Sequence, residues 1–363
     1  MLTEIYSKIA FYKESGYNFT LPDKIGLCVL YANKYLQTAN PACYKITDFY
    51  LQQLLGIDKY AMTGIVSGSA GVLWLLNYLK AIDLLSFSEK DIYALEKITV
   101  DGFVASLNQN NWDYYYNGSI GHLLAIKQPE YCKLLLDFLL KAVRKNDKDN
   151  YELLSKNYPE STNLGLHAGI LGVLSICNTF VRKGIFPKES LEIQKRALDI
   201  IFCKLEKTNY NYYPATVNAD SPCRMCWTYG ELTAAFQLLA TGRLLGDKNI
   251  EQNALTMARK TTLRATLEDT MIYDSCIISG SSGNYILYKL LNSLYPDEIF
   301  GKAEDLWQKH TSVLLKRYDY HNIDRYTNQK VIDLSILGGL SGICLTLDNF
   351  NYVWLEYILL DMF

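Results

Sequence analysis

The sequence predicts an all-α fold: a ring of seven helical hairpins, with one layer of helices standing inside the other. Three observations predict it. A glycine phrase recurs along the chain, its copies are nearly evenly spaced, and two kinds of helix alternate between them. The phrase is two glycines three apart, followed by an apolar run. It reads Gly68-Ser69-Ala70-Gly71, Gly118-Ser119-Ile120-Gly121, Gly169-Ile170-Leu171-Gly172, Gly280-Ser281-Ser282-Gly283 and Gly339-Leu340-Ser341-Gly342. Asp23-Lys24-Ile25-Gly26 keeps only the second glycine, and Gly230-Glu231-Leu232-Thr233 only the first. The leading glycines are spaced by 50, 51, 61, 50 and 59 residues. That is room for two helices and two connections when a mean helix has ~11–12 residues. Twelve of the 22 glycines fall in these phrases, so glycine is punctuation in this chain.

Each element follows from its residues. The runs after the glycines, such as residues 72–79, are apolar nearly all round, which predicts inner helices buried on most sides. The intervening segments are amphipathic and belong outside. Ser88-Glu89-Lys90-Asp91 reads as a capping box, and behind it Ile92, Leu95, Ile98 and Phe103 share a face. Pro187 suits the first turn of a helix carrying Leu191, Leu198 and Ile201. The glycine phrases then gather at one end of the ring, where helix N-termini offer unpaired N–H groups and the positive end of the dipole. The repeat alone also fits an open helical solenoid. No β-rich fold is legible.

Composition bounds the rest. Of 363 residues 36 are basic and 38 acidic, a net charge of −2, which argues against a nucleic-acid footprint. Hydrophobic residues make up 49% and charged residues 20%, enough for a core and too apolar for a disordered chain. No Gly/Ser- or Pro-rich linker divides the chain, so one domain over residues 1–363 is expected. No apolar stretch reaches the ~18 residues of a membrane span. The first eight residues lack a basic segment leading into an apolar run, so no signal peptide is expected. Nine scattered cysteines, an odd number, fit reduced thiols and a cytoplasmic location.

Seven glycine phrases, each opening an apolar helix, resemble those of the lanthionine synthetase C-like (LanC) family of α/α toroids. Three stretches strengthen the resemblance. Asn163-Leu164-Gly165-Leu166-His167-Ala168-Gly169-Ile170 is similar to the family's N-L-G-L-A-H-G-I. Arg224-Met225-Cys226-Trp227-Thr228-Tyr229-Gly230 is similar to its R-x-x-W-C-Y-G, and residues 333–342 to its closing repeat. The resemblance implies an α/α toroid that closes thioether (lanthionine) rings by adding peptide cysteine thiols to dehydroamino acids. Its partners would be a ribosomally made precursor peptide and a dehydratase.

The chemistry needs a thiolate, because the neutral thiol is a poor nucleophile, and an acid to protonate the enolate left by addition. The family supplies zinc through the cysteine of W-C-Y-G and the Cys-His pair of a later C-H-G. Here Thr228, Ile278 and Ser279 stand at those positions, so no zinc and no other cofactor is expected. A relocated site would need Cys226, Cys276 or His167; Cys223-x-x-Cys226 alone is a weak metal signal. The resemblance carries catalytic roles to Arg224 and Tyr229, and, each displaced by one residue, to His167 and Asp113. Each also has a structural reading: an arginine can pair with a carboxylate, a tyrosine can pack, a lone histidine can sit satisfied in a core. An imidazole of ordinary pKa, about 6.5, suits acid–base work.

Two features stand outside the resemblance. Tyr114-Tyr115-Tyr116 and Tyr210, Tyr212 and Tyr213 cluster near the rim, as a peptide or sugar groove would, or as amphipathic residues between core and water. Glu231 and Asp274 are two carboxylates near one mouth, the pair a glycosidase requires. Three functions therefore compete: a zinc-independent or degenerate cyclase, a non-catalytic relative that binds a peptide or partner enzyme, and an α/α-barrel glycosidase.

Overall fold

The structure, a computed structural model, describes residues 1–360 except 58–59, 61, 86, 113–114, 148, 324–326, 328 and 349–351. A first helix, α1 (Leu2–Glu14), is followed by six hairpins: α2 (Leu21–Thr38) with α3 (Pro41–Leu55), α4 (Ser69–Ala81) with α5 (Glu89–Asn108), and α6 (Ser119–Ala125) with α7 (Pro129–Ala142). Then come α8 (Ile170–Arg182) with α9 (Pro187–Lys207), α10 (Glu231–Leu245) with α11 (Lys248–Thr261), and α12 (Ser281–Leu294) with α13 (Glu298–Arg317). The last inner helix, α14 (Leu340–Leu347), takes α1 as its outer neighbour, so the seventh hairpin joins the two ends of the chain. Each even-numbered helix touches the next, and α14 touches α2. The ring is closed, which excludes the solenoid.

The two helix types separate as their residues require. In α4 every residue from Ser69 to Leu76 is buried, whereas α11 buries Ile250, Ala254, Leu255, Met257, Ala258 and Thr261 on one side and leaves the rest to water. Pro187 does open α9, with Leu198 and Ile201 buried as expected, but Leu191 is 40% exposed. The side chains of Glu89 and Asp91, and with them the expected capping box, lie outside the described residues. Two short antiparallel pairs interrupt the helices: β1 (Val143–Lys145) with β2 (Tyr151–Leu153), and β3 (Asn322–Ile323) with β4 (Lys330–Val331).

Glycine sits at the N-cap of all six inner helices from α4 to α14. The second glycine of the phrase is needed for close approach: a Cβ on Gly71 would run into the Ile65 carbonyl oxygen, because the loop folds back over the first helical turn. Gly230 alone among the six N-caps is left-handed, with φ +96. The loops are tied in sequence by backbone bonds of one register: Ile65 N–H to Tyr116 O (3.0 Å), Tyr115 N–H to His167 O (2.7 Å), Leu166 N–H to Thr228 O (2.9 Å) and Ile277 N–H to Leu337 O (3.1 Å).

The expected phrase at residues 23–26 is the exception, and its role differs from the expectation. Helix α2 starts two residues earlier, behind a capping box between Thr20 and Asp23, and has no glycine loop. A side chain replaces the missing loop: Leu334 N–H, in the loop before α14, donates to Asp23 Oδ1 at 2.7 Å, while Oδ2 accepts from the Thr20 backbone (2.9 Å) and hydroxyl (2.7 Å).

The centre of the ring is filled by the end of the described chain, an element the periodicity did not reveal. A 3₁₀ helix, Val353–Ile358, buries Trp354, Leu355, Tyr357 and Ile358. Its carbonyls are met by the surrounding ring: Trp227 Nε1 donates to Ile358 O (2.7 Å), and Gln237 Nε2 (2.9 Å) and Ser175 Oγ (3.0 Å) to Leu359 O. Tyr115 OH donates to Tyr357 O.

Asp23 is 2% exposed, and removing it strands the Leu334 amide and the helix cap. Asp23→Ala is therefore expected to cost at least about 2 kcal/mol in urea unfolding, and Asp23→Asn, which keeps Oδ1, clearly less.

Candidate functional site

The rim loops surround a cleft of about 710 Å³. The loop before α6 contributes Tyr116 and the loop before α8 His167; the loop before α10 contributes Cys223, Arg224, Thr228 and Tyr229. The loop before α12 adds Asp274, Cys276, Ile278 and Ser279, the loop before α14 adds Asp333, and β3 and β4 form one wall. Of the four candidates, His167, Arg224 and Tyr229 thus meet in one cavity. Asp113 lies outside the described residues. A smaller polar cavity of about 390 Å³ between the β1–β2 pair and α9 contains none of the four.

A tight turn presents the R-x-x-W-x-Y segment. Cys226 and Tyr229 exchange both backbone hydrogen bonds, at 3.0 and 3.2 Å, which holds Thr228 at its corner. Tyr229 accepts from Asn163 Nδ2 (3.0 Å) and meets Tyr158 OH (3.3 Å), and burial raises its pKa, so it stands as a neutral phenol. The His167 ring lies between Tyr116 and Tyr229, with centroids 5.9 and 5.2 Å away. Arg224 makes no ion pair among the described residues; its guanidinium lies 5.6 Å over the Tyr273 ring, so its charge faces the cleft uncompensated by a carboxylate partner.

Three loops share a local device. Six residues before the N-cap glycine stand Asn163, Asp274 and Asp333. Each backbone carbonyl accepts from the first residue of the helix, from Ile170 (2.9 Å), Ser281 (3.0 Å) and Leu340 (2.9 Å). Each Oδ1 accepts from the N–H two residues on, Gly165 (2.7 Å), Cys276 (3.1 Å) and Ser335 (2.8 Å). These are Asx turns, which shape the loop whatever else the side chain does. Asp333 was not singled out from sequence; the constant offset from the glycine was the available signal.

The donor set at the positions where the resemblance puts zinc ligands does not fit zinc. Thr228 and Ser279 offer neutral hydroxyls and Ile278 offers nothing. The neighbouring thiols are already engaged. Cys226 Sγ is 2.9 Å from Thr228 Oγ1, is fully buried and does not line the cleft. Cys276 Sγ donates to Asp274 Oδ1 at 2.9 Å, and Ser279 Oγ to Asp274 Oδ2 at 3.1 Å. Burial pushes both thiols up, that of Cys276 further through the adjacent Asp274 charge, so each is held protonated. Among the described residues no group of three His, Cys, Asp or Glu is arranged to hold a metal.

Two other expectations are corrected. Glu231 is buried in an ion pair with Arg264 and does not line the cleft, so the carboxylate pair for glycoside hydrolysis is not assembled there. Among the described residues the tyrosine clusters do not form a groove: Tyr115 and Tyr213 are core residues, Tyr212 binds the Asp220 carbonyl, and Tyr116 alone of those described reaches the cleft; Tyr114 lies outside the described residues.

A closed α/α ring whose rim loops converge on one cleft defines a class, the α/α toroids. Within it, the model of the family "Lanthionine synthetase C-like protein" matches residues 24–353, and the chain belongs to that family. Among solved structures it is similar to nisin cyclase, with a TM-score of 0.75, 18% identity, and coverage of 99% of this chain and 97% of that one. A sugar epimerase from a ruminal bacterium matches at a TM-score of only 0.41 and 11% identity, over 90% of this chain and 86% of its own. No curated protein matches the sequence. No helix among the described residues is long and apolar enough to cross a membrane.

Thiol chemistry checks the site. Cys203 and Cys223 are half-buried and the other seven thiols buried, and burial pushes Cys223 up to about 12. Native protein treated with a disulfide reagent at pH 8 should therefore react first at Cys203, with Cys223 lagging and the rest requiring denaturant. Prompt labelling of Cys276 would contradict its bond to Asp274.

Proposed function

We propose that this protein closes thioether rings in a ribosomally made peptide by adding a cysteine thiol to a dehydroalanine or dehydrobutyrine, using its own acid–base groups in place of zinc. The observation that carries the reading is the convergence of His167, Arg224 and Tyr229 on one rim cleft, in a chain whose family membership extends over residues 24–353. The substrate is a precursor peptide already dehydrated by a dehydratase, met in the cytoplasm where it is made.

In this reading His167 takes the proton of the substrate thiol. The sulfur bonds to the β-carbon of the dehydroamino acid, and the displaced π pair becomes an enolate. Arg224 lies beside the enolate oxygen and offsets its charge, as cationic donors do best in a site with little water. Tyr229, fixed by Asn163 and Tyr158, is a neutral donor that orients the acceptor carbonyl.

A second reading is favoured by one observation: at the zinc positions stand Thr228, Ile278 and Ser279. In it the cleft binds peptide, or presents it to a partner enzyme, without turnover.

The test uses chelator-treated protein and a dehydrated peptide with one cysteine. Ring closure faster than the spontaneous addition is expected, falling about 10²-fold in His167→Ala and in Arg224→Ala. Binding by calorimetry without rate enhancement would favour the second reading. Elemental analysis of protein purified without chelator should give far less than one zinc per chain; a full equivalent would mean that Cys226, Cys276 and His167 rearrange to bind it.

A further inference from the structure

We propose that Asp333 is the acid that protonates the enolate carbon after thiol addition, an assignment that rests on the cyclase reading above. Comparison of equivalent loops within the ring leads to it. Asn163, Asp274 and Asp333 make the same Asx turn, and Asn163 makes it with an amide, so the turn itself does not require an acid. Asp274 is occupied: it accepts from the Cys276 backbone (3.1 Å), the Cys276 thiol (2.9 Å) and the Ser279 hydroxyl (3.1 Å).

Asp333 is placed differently. The residue before the N-cap glycine, Ser279 in the α12 loop, is Gly338 in the α14 loop and has no hydroxyl to give. A Cβ at Gly338 would strike Asp333 Oδ2, so the glycine leaves the space in which that oxygen lodges. Its hydrogen bonds come from Ser335, and both Asp333 and Gly338 line the cleft that holds His167 and Arg224.

The surroundings favour the protonated form. Burial raises the Asp333 pKa against the lowering effect of the Ser335 hydrogen bonds, and the Asp23 carboxylate adds to the rise. Tyr17 also senses the Asp333 charge, and the same cleft is lined by Arg224, Asp274, Cys276 and His167. A carboxyl whose surroundings favour the protonated form, in one cavity with an imidazole, supplies both halves of the addition. The imidazole takes the thiol proton as the S–Cβ bond forms and the π pair moves onto the enolate. The Asp333 O–H then gives its proton to Cα, and the imidazolium returns a proton to the carboxylate through water. No atom or electron is left over.

Asp333→Asn tests this, because Asn163 shows that the amide makes the turn. The variant should melt at or above the wild-type temperature at pH 8, since a carboxyl of raised folded-state pKa costs stability once ionised. With the single-cysteine peptide, wild-type turnover should fall as pH rises through the Asp333 pKa. The variant should be slowed about 10²-fold, lose that limb, and give mixed configuration at Cα because water now protonates either face. Carbon-13 titration of labelled aspartates, wild type against variant, reads Asp333 without turnover. An unchanged rate, pH profile and Cα configuration in the variant overturns the assignment alone, as does titration of Asp333 at the ordinary value of about 3.9. A wild type no faster than spontaneous addition overturns the cyclase reading and the assignment with it.

Discussion

The molecule depends on a relay of backbone hydrogen bonds around one rim. Four loops give an N–H to the carbonyl of the next, from Ile65 to Tyr116, Tyr115 to His167, Leu166 to Thr228 and Ile277 to Leu337. For this the chain passes close over the first turn of the inner helices, and at Gly71, Gly121, Gly172, Gly283 and Gly342 a Cβ would strike the loop's carbonyl oxygen. Packing alone would hold the helices in a bundle; the relay fixes the height and rotation of the loops it joins, and therefore which side chains share the cleft. His167 and Tyr229 are neighbours because their loops are bonded through Leu166 and Thr228.

The ring was legible in the sequence because its cause is local and periodic. A glycine at each inner N-cap and a fully apolar run behind it can be read residue by residue, and the two helix layers follow. The exceptions lie where a distant group replaces the local one. Asp23 looked like a degenerate phrase, yet it serves the opposite end of the chain through Leu334, 311 residues away. The 3₁₀ helix at Val353–Ile358 has no period to announce it and is anchored by tertiary partners.

The site was less legible. Arg224, Tyr229 and His167 were found through their phrases, but what each faces depends on loops far apart in sequence. Glu231 precedes an apolar run as a rim carboxylate would, and only the fold shows that Arg264 claims it. The cysteines show the same limit from the other side. Spacing placed Cys226 and Cys276 close to the lost ligand positions, whereas burial and the partners Thr228 and Asp274 keep both thiols protonated and committed.

The pairing of the first helix with the last inner one bears on how the molecule is made. Helix α1 is synthesised some 330 residues before its neighbour α14 is complete, and the segment filling the middle follows that. Until then the inner helices surround an unfilled apolar hollow, and the seam between α2 and the growing end stays open. Contacts of such sequence separation form slowly, and the apolar surface exposed meanwhile invites aggregation. Nascent chains of this protein should therefore lean on chaperones until that segment emerges, and removal of Val353–Ile358 would be felt across the entire circle rather than locally.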